Sequence, residues 1–364
     1  MSPDSPSAEP VSRELTSPVP EGFRCPGEFE GHVRCWMCWP AKPDLWGAHL
    51  DAARDAYAAV ARAIRGFEPV TMVARPEDVA DAAARCGGDI DIWAYPITDS
   101  WARDSGPTFV VDDEGTSLAV DWIFDGWGGK AGDVSADDAL AGAIAARVGA
   151  TAVRAPLVME GGALCSDGEG TLLVTEQCLL SPNRNPHLDR ASIERHLQAL
   201  LRVETVLWLP YGLAEDTDTD GHVDNVACFV RPGVVMAVEP PHDCDHPDHA
   251  RLSANMAALM AQTDALGRQI EVLSVPYVPA TVGPDGRPLS RSYVNFYIAD
   301  GGIVMPGFGL ETDRVARDAV REAFPYHDVV MLPEGAVIAR GGGNIHCITL
   351  QQPQPKPVPG CGGG

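Results

Sequence analysis

One pattern recurs five times along this 364-residue chain, and it restricts the fold more than any other feature. In four copies two β-branched runs flank a cluster of turn residues, an amphipathic stretch follows, and another β-branched run closes the unit at a proline. The hairpins are TFVVDD–SLAVDWIF, ALCSDGEGTLLVTEQCLL, VACFVRPGVVMAVEP and FYIADGGIVMPGFG, each with Gly or Pro chemistry at its centre. Apolar residues at helical spacing predict helices over 135–148, 189–201, 247–266 and 311–323. The closing runs are TAVRAP, TVLWLP, EVLSVP and DVVMLP, and the amino-terminal part supplies a fifth copy, from TMVARP through a helix at 76–85 to DIWAYP. The closing prolines Pro96, Pro156, Pro210, Pro276 and Pro333 stand 60, 54, 66 and 57 residues apart. A single ββαβ unit cannot cover its own sheet face, and radial closure also hides the strand edges. The expected fold class is therefore α/β, five ββαβ units around a pseudo-fivefold axis. The expected organisation is a disordered leader over 1–20, one catalytic domain over 21–352 and a flexible tail over 353–364.

The balance of 27 basic against 51 acidic residues gives a net charge of -24, which repels nucleic acid and anionic membrane surfaces and favours a small cation. No apolar run is long enough to span a bilayer, and the polar, acidic amino terminus is not a secretory signal. Ten cysteines without a disulfide rhythm fit a reducing cytoplasm. Cys165, Cys178 and Cys228 sit in apolar runs and read as small buried hydrophobes. The Cys35–Cys38 pair of CWMCWP has redox or zinc spacing but no second pair beside it, and HDCDHPDH (242–249) reads as a solvated loop.

Equivalent units place equivalent loops at one end of the shared axis. The loops after the closing prolines hold Asp99, Trp101, Arg103 and Asp104 in TDSWARDSGP, Glu160 in MEGG, and His222 and Asp224 in GHVDN. The last two end in RSYVN and GGGNIHC, the latter carrying Cys347. Three acids, a histidine and a cysteine would thus converge from four units. His222 and Asp224, two apart at an expected strand start, would face the same way, whereas His346 would point away from the Cys347 thiol. Arg103 is expected to turn from Asp104 towards another acid. A thiol attacks electrophilic carbon, an imidazole moves protons, and carboxylates hold a cation. Carboxylates buried without a Lys or Arg of their own call for a cationic ligand, and a guanidinium matches them in charge and planarity.

WARDSGP, MEGG, TEQCLLSPNRNP, GHVDNVACFV and GGGNIHCIT, with EFEGHVRCWMCWP near the start, together resemble the agmatine deiminase family. These are relatives of bacterial-type peptidylarginine deiminases within the guanidino-modifying pentein superfamily. The resemblance covers nearly the whole chain except its two ends, and it implies the pentein five-bladed α/β propeller. It also implies Cys347 as the nucleophile, His222 as the proton carrier, Asp104 and Asp224 as the guanidinium clamp, and Glu160 orienting His222 or sharing that clamp. Trp101 would pack beside the substrate. No cofactor or metal is implied, the partner is a small cationic guanidino compound, and self-association is left open.

Three other readings stand beside this one. Free or peptidyl arginine is an alternative substrate on the same scaffold; a free carboxylate needs a basic anchor, for which Arg184 is the candidate. A non-catalytic guanidinium-binding propeller would leave Cys347 inert. A Cys–His amidase would need oxyanion donors where this chain offers carboxylates.

Overall fold

The computed structural model describes residues 18–283, 286 and 288–355. Most of the expected leader, 1–17, and the tail beyond 355, with Cys361, lie outside these residues. Val19 is buried in the same apolar cluster as Cys25 and Leu200.

Strands β1 (His32–Cys38), β2 (Val70–Ala74) and β3 (Asp91–Ala94) are parallel neighbours in the first sheet. Helices Leu50–Arg65 and Val79–Cys86 connect them. The second sheet pairs β4 (Thr108–Val111) antiparallel with β5 (Ser117–Ile123), then β5 parallel with β6 (Thr151–Val158). The third repeats this with β7 (Leu164–Ser166), β8 (Thr171–Thr175) and β9 (Thr205–Leu209), and the fourth with β10 (Ala227–Arg231), β11 (Val234–Val238) and β12 (Glu271–Val275). A short ribbon, β13 (Thr281–Val282) with β14 (Pro288–Leu289), precedes the fifth sheet of β15 (Tyr297–Ala299), β16 (Gly302–Pro306) and β17 (Asp328–Leu332). Strand β18 (Thr349–Pro353) then returns to pair antiparallel with β1.

The ring closes because both faces of these sheets are apolar. Successive strand residues point to opposite faces, and here each face packs against a different neighbouring sheet. Trp36 and Cys38 of β1 join Phe109 and Ala119 of the second sheet, while Cys35 and Met37 join Tyr297 and Val304 of the fifth. Val120 meets Leu172 and Val174 of the third sheet, and Leu173 turns the other way into a cluster running from Phe229 to Ile303. Every sheet is thereby sandwiched between two others, which explains five units of near-equal length.

Three expectations change. The first unit is assembled from both ends of the chain: its hairpin is β18–β1, and β2 and β3 extend it. Pro156 does not follow a strand; it sits inside β6 where the register with β5 shifts between Asp121 and Ile123, so its missing N–H breaks no regular ladder. The helix expected over 247–266 stops at Ala261, because Asp264 Oδ1 accepts from Leu266 and Arg268 N–H and folds 262–269 into a turn.

Candidate active site

Each site residue stands in an irregular segment just before or after a sheet. Asp104 lies in the helical turn Ala102–Ser105 beyond β3; Glu160 precedes the turn Gly161–Ala163 beyond β6. His222 precedes the turn Val223–Asn225, and Cys347 lies two residues before β18. Gly162 marks where they meet. A Cβ there would sit 2.5 Å from His222 Nδ1, 2.9 Å from Asp104 Oδ1 and 3.0 Å from Asp224 Oδ2, so only glycine admits this convergence. Asp224 Oδ2 in turn lies 3.6 Å from Cys347 Sγ. Asp104, Glu160, His222, Asp224 and Cys347 are all at least nine-tenths buried.

His222 and Asp224 do not share a strand face, since β10 begins only at Ala227. A turn brings them together instead. Asp216 fixes it by accepting from the His222 backbone N–H and from Asn225 Nδ2, both at 3.1 Å. Around the imidazole, Asp104 Oδ1 stands 3.8 Å from Nδ1 and Glu160 Oε2 stands 3.5 Å from Nε2. Burial alone would lower the His222 pKa; Asp104, with Cys178 and Glu160, outweighs it, and the ring is held well above its ordinary value. Burial pushes Asp104 up to about 6, with Asp224 and Glu160 adding to the rise, and its Oδ2 accepts from Trp127 Nε1 at 3.0 Å.

Glu160 is not an uncompensated carboxylate. Arg184 Nε lies 2.8 Å from its Oε1, both side chains are 1% exposed, and Arg184 also reaches Asp220 and the Thr219 carbonyl. The expectation that the acids lack a basic partner of their own is therefore corrected, and Arg184 is spent inside the protein rather than free as a substrate anchor. Asp224 has a partner too. His346 Nδ1 stands 2.9 Å from Asp224 Oδ2 and its Nε2 stands 2.8 Å from Glu28 Oε2. Two carboxylates on one imidazole require both ring nitrogens to donate, which is the imidazolium. His346 belongs to the site after all. Residues 345–348 form a turn, so the strand alternation that pointed it away from Cys347 does not apply. Arg103 pairs with Glu28 at 2.9 Å, turned from Asp104 as its neighbouring position suggested.

Around the sulfur, sequence reasoning missed Asn295. Its Oδ1 accepts from the His346 N–H at 3.0 Å and the Cys347 N–H at 3.3 Å, which orients Nδ2 to donate to Cys347 Sγ at 3.2 Å. Asn295 ends RSYVN, the one equivalent loop left without a role, so its position was the available clue. Burial, then the Asp224 and Asp104 carboxylates, raise the thiol well above its ordinary value against the Asn295 contact. A cation placed between those carboxylates removes that repulsion and favours the thiolate.

Asp104 and Cys347 of this cluster open onto a cavity of about 260 Å³ also lined by Trp101, Trp127, Gly341 and Gly343, with Lys42, Lys130, Asp44 and Asp218 on its wall. Trp101 stacks on Trp46 at 6.4 Å between centroids, and a Cβ on Gly343 would come within 2.5 Å of its indole. The glycine run thus makes room for an aromatic wall as well as for the approach to Cys347. Trp127, also missed, holds the left-handed conformation (φ 60°) within GWGG to reach Asp104. Cys35 and Cys38 face different apolar clusters and cannot cooperate. In HDCDHPDH, Cys244 is exposed and His246 caps the helix Pro247–Ala261.

Fold and site define the pentein class: a ring of five α/β sheets with a thiol, an imidazole and carboxylates at its centre. The sequence profile of the Porphyromonas-type peptidyl-arginine deiminases matches residues 24–353. The agmatine deiminase of Pseudomonas aeruginosa (strain LESB58) is 43% identical over 369 residues, covering 95% of this chain and 100% of that protein. That of Stutzerimonas stutzeri is 45% identical over 366 residues, covering 94% and 98%. The solved agmatine deiminase of Enterococcus faecalis superposes with a TM-score of 0.88 at 36% identity, covering 92% of this chain and 96% of that one. This chain belongs to the agmatine deiminase branch of that family.

Proposed function

We propose that this chain hydrolyses the guanidinium of agmatine to N-carbamoylputrescine and ammonia. The observation that carries this reading is a buried thiol 3.6 Å from one carboxylate of a pair whose charges a guanidinium would neutralise. Asp104 and Asp224 hold the guanidinium nitrogens, and the Cys347 thiolate attacks the central carbon. His222 gives its proton to the departing nitrogen, which leaves as ammonia with its C–N bond broken and a C–S bond made. His222, now neutral, takes a proton from water and the hydroxide adds to the amidino-thioether carbon. The C–S bond then breaks, the added oxygen gives up its proton to solvent (where ammonia becomes ammonium), and the ureido product and thiolate result. Glu160 holds the His222 ring, and Trp101 lines the aliphatic chain of the substrate. No metal or cofactor enters these steps.

The cavity favours an amine over a carboxylate at the far end of the substrate. Of its lysines, Lys42 stands 3.4 Å from Asp99 and Lys130 stands 2.8 Å from Asp220, so each is already matched by an acid. Ammonia release from agmatine is expected to exceed that from free arginine and from an N-acyl arginine peptide by about 10²-fold or more in kcat/KM, since each rival leaves a charge or bulk unmatched. Faster turnover of either arginine compound would make this an arginine deiminase.

Asp104 sets the acid limb. As pH falls through about 6 its carboxylate takes up a proton and loses its hold on the cation. The kcat/KM for agmatine is expected to drop about tenfold per unit below that point. A profile flat to pH 4.5 would remove Asp104 from the clamp.

No helix among the described residues is long and apolar enough to cross a membrane. We place the protein in the cytoplasm, where its free thiols stay reduced, with residues 21–352 as one catalytic domain.

A further inference from the structure

Cys178 has no part in the chemistry above, yet it lies against the proposed base. The sequence continues from β8 into the single helical turn Glu176–Leu179, because Thr175 Oγ1 accepts the Cys178 N–H. That turn aims the thiol inward. One ligand atom each from Cys178, His222 and Glu160 lie within 4.8 Å of one another, and all three residues are buried.

The polar atoms here are incompletely used. Neither ring nitrogen of His222 nor either oxygen of Glu160 has a hydrogen bond of good geometry. The Arg184 ion pair is closest to Glu160 Oε1, leaving Oε2 facing His222 Nε2 at 3.5 Å. In a tetrahedral zinc site with bonds of ~2.0–2.1 Å, nitrogen and oxygen ligands stand roughly 3.4 Å apart. Imidazole, thiolate and carboxylate are the donor types zinc accepts, and three protein ligands leave one position open. Asp104 and Asp224 nearby, and a net charge of -24 overall, draw cations towards this place.

We propose that Glu160, Cys178 and His222 form an inhibitory zinc site. Zn²⁺ replaces the Cys178 thiol proton and any proton on His222 Nε2, and the ring so held can neither protonate the leaving nitrogen nor activate water. Inhibition arises at the base, separately from capture of zinc by the Cys347 sulfur. The inhibitory consequence rests on the reading of His222 given above; the metal site itself does not.

Two arms keep these apart. In the full chain carrying Cys347→Ser and Cys244→Ser, Co²⁺ titration is expected to give a thiolate-to-metal band in the near ultraviolet. Adding Cys178→Ser should abolish the band; a band that persists overturns the site whatever the enzyme's substrate. In the chain with Cys347 intact, Zn²⁺ is titrated against ammonia release from agmatine. The half-inhibiting concentration is expected to rise about tenfold or more in both Cys178→Ser and Cys178→Ala, each scaled to its own zinc-free rate. Thermal unfolding of both variants checks that they are folded. A half-inhibiting concentration unchanged within about twofold would place zinc on Cys347 and sink the proposal.

Discussion

Serine in place of Cys347 is expected to lower ammonia release from agmatine about 10⁴-fold or more, the scale seen when an enzyme's nucleophile is removed. The reason is specific to this pocket. Burial and two carboxylates hold the thiol well above its ordinary pKa despite the Asn295 contact, and the substrate cation supplies the remaining offset. A serine hydroxyl starts several units higher and has no comparable route to the oxyanion. The side chains of Asp104, Asp224 and His346 keep their positions, so agmatine should still bind, with an affinity within about an order of magnitude of the starting protein's. The decisive measurement is mass spectrometry after acid quench. The original chain should carry an amidino adduct on Cys347, and the serine variant none. Full turnover by the variant would end the assignment of the nucleophile.

Arg184→Met should destabilise the fold by about 3–5 kcal/mol, because it removes the cation that pairs with the buried Glu160 carboxylate. Both side chains of the pair are 1% exposed, so solvent cannot take over the role of the guanidinium. Arg184 also secures the segment bearing Thr219 and Asp220, which leads into His222, and losing it should reduce turnover through a displaced imidazole. Urea unfolding measures the first effect. Pairing Arg184→Met with Glu160→Gln tests its cause: if the stranded charge is responsible, the double variant recovers part of the stability. Equal loss in the single and double variants would assign the effect to packing.

The architecture was legible because its repeat is long and its strands are strongly patterned. Four hairpins fell where Gly and Pro turns divided β-branched runs, and the polar loops converged as equivalence required. What escaped was everything set by turns rather than by period. His346 joined the site because residues 345–348 leave the strand alternation that would have turned it away. Asn295 is a neutral amide whose role depends on two backbone N–H groups only the folded chain supplies. Arg184 looked available because sequence cannot reveal that its partner lies 24 positions earlier, across a sheet boundary. The closing proline at 156 failed for a related reason: a register shift hides the missing donor.

Strand β18 is the last regular element described, and it completes the sheet begun by β1. Cys347 stands two residues before it. During synthesis the first sheet stays incomplete until β18 has emerged, and the Cys347 sulfur arrives with the strand that shuts the ring. A chain lacking β18 and the turn before it can therefore gather Asp104, Glu160, His222 and Asp224 but not the Cys347 sulfur that stands against them.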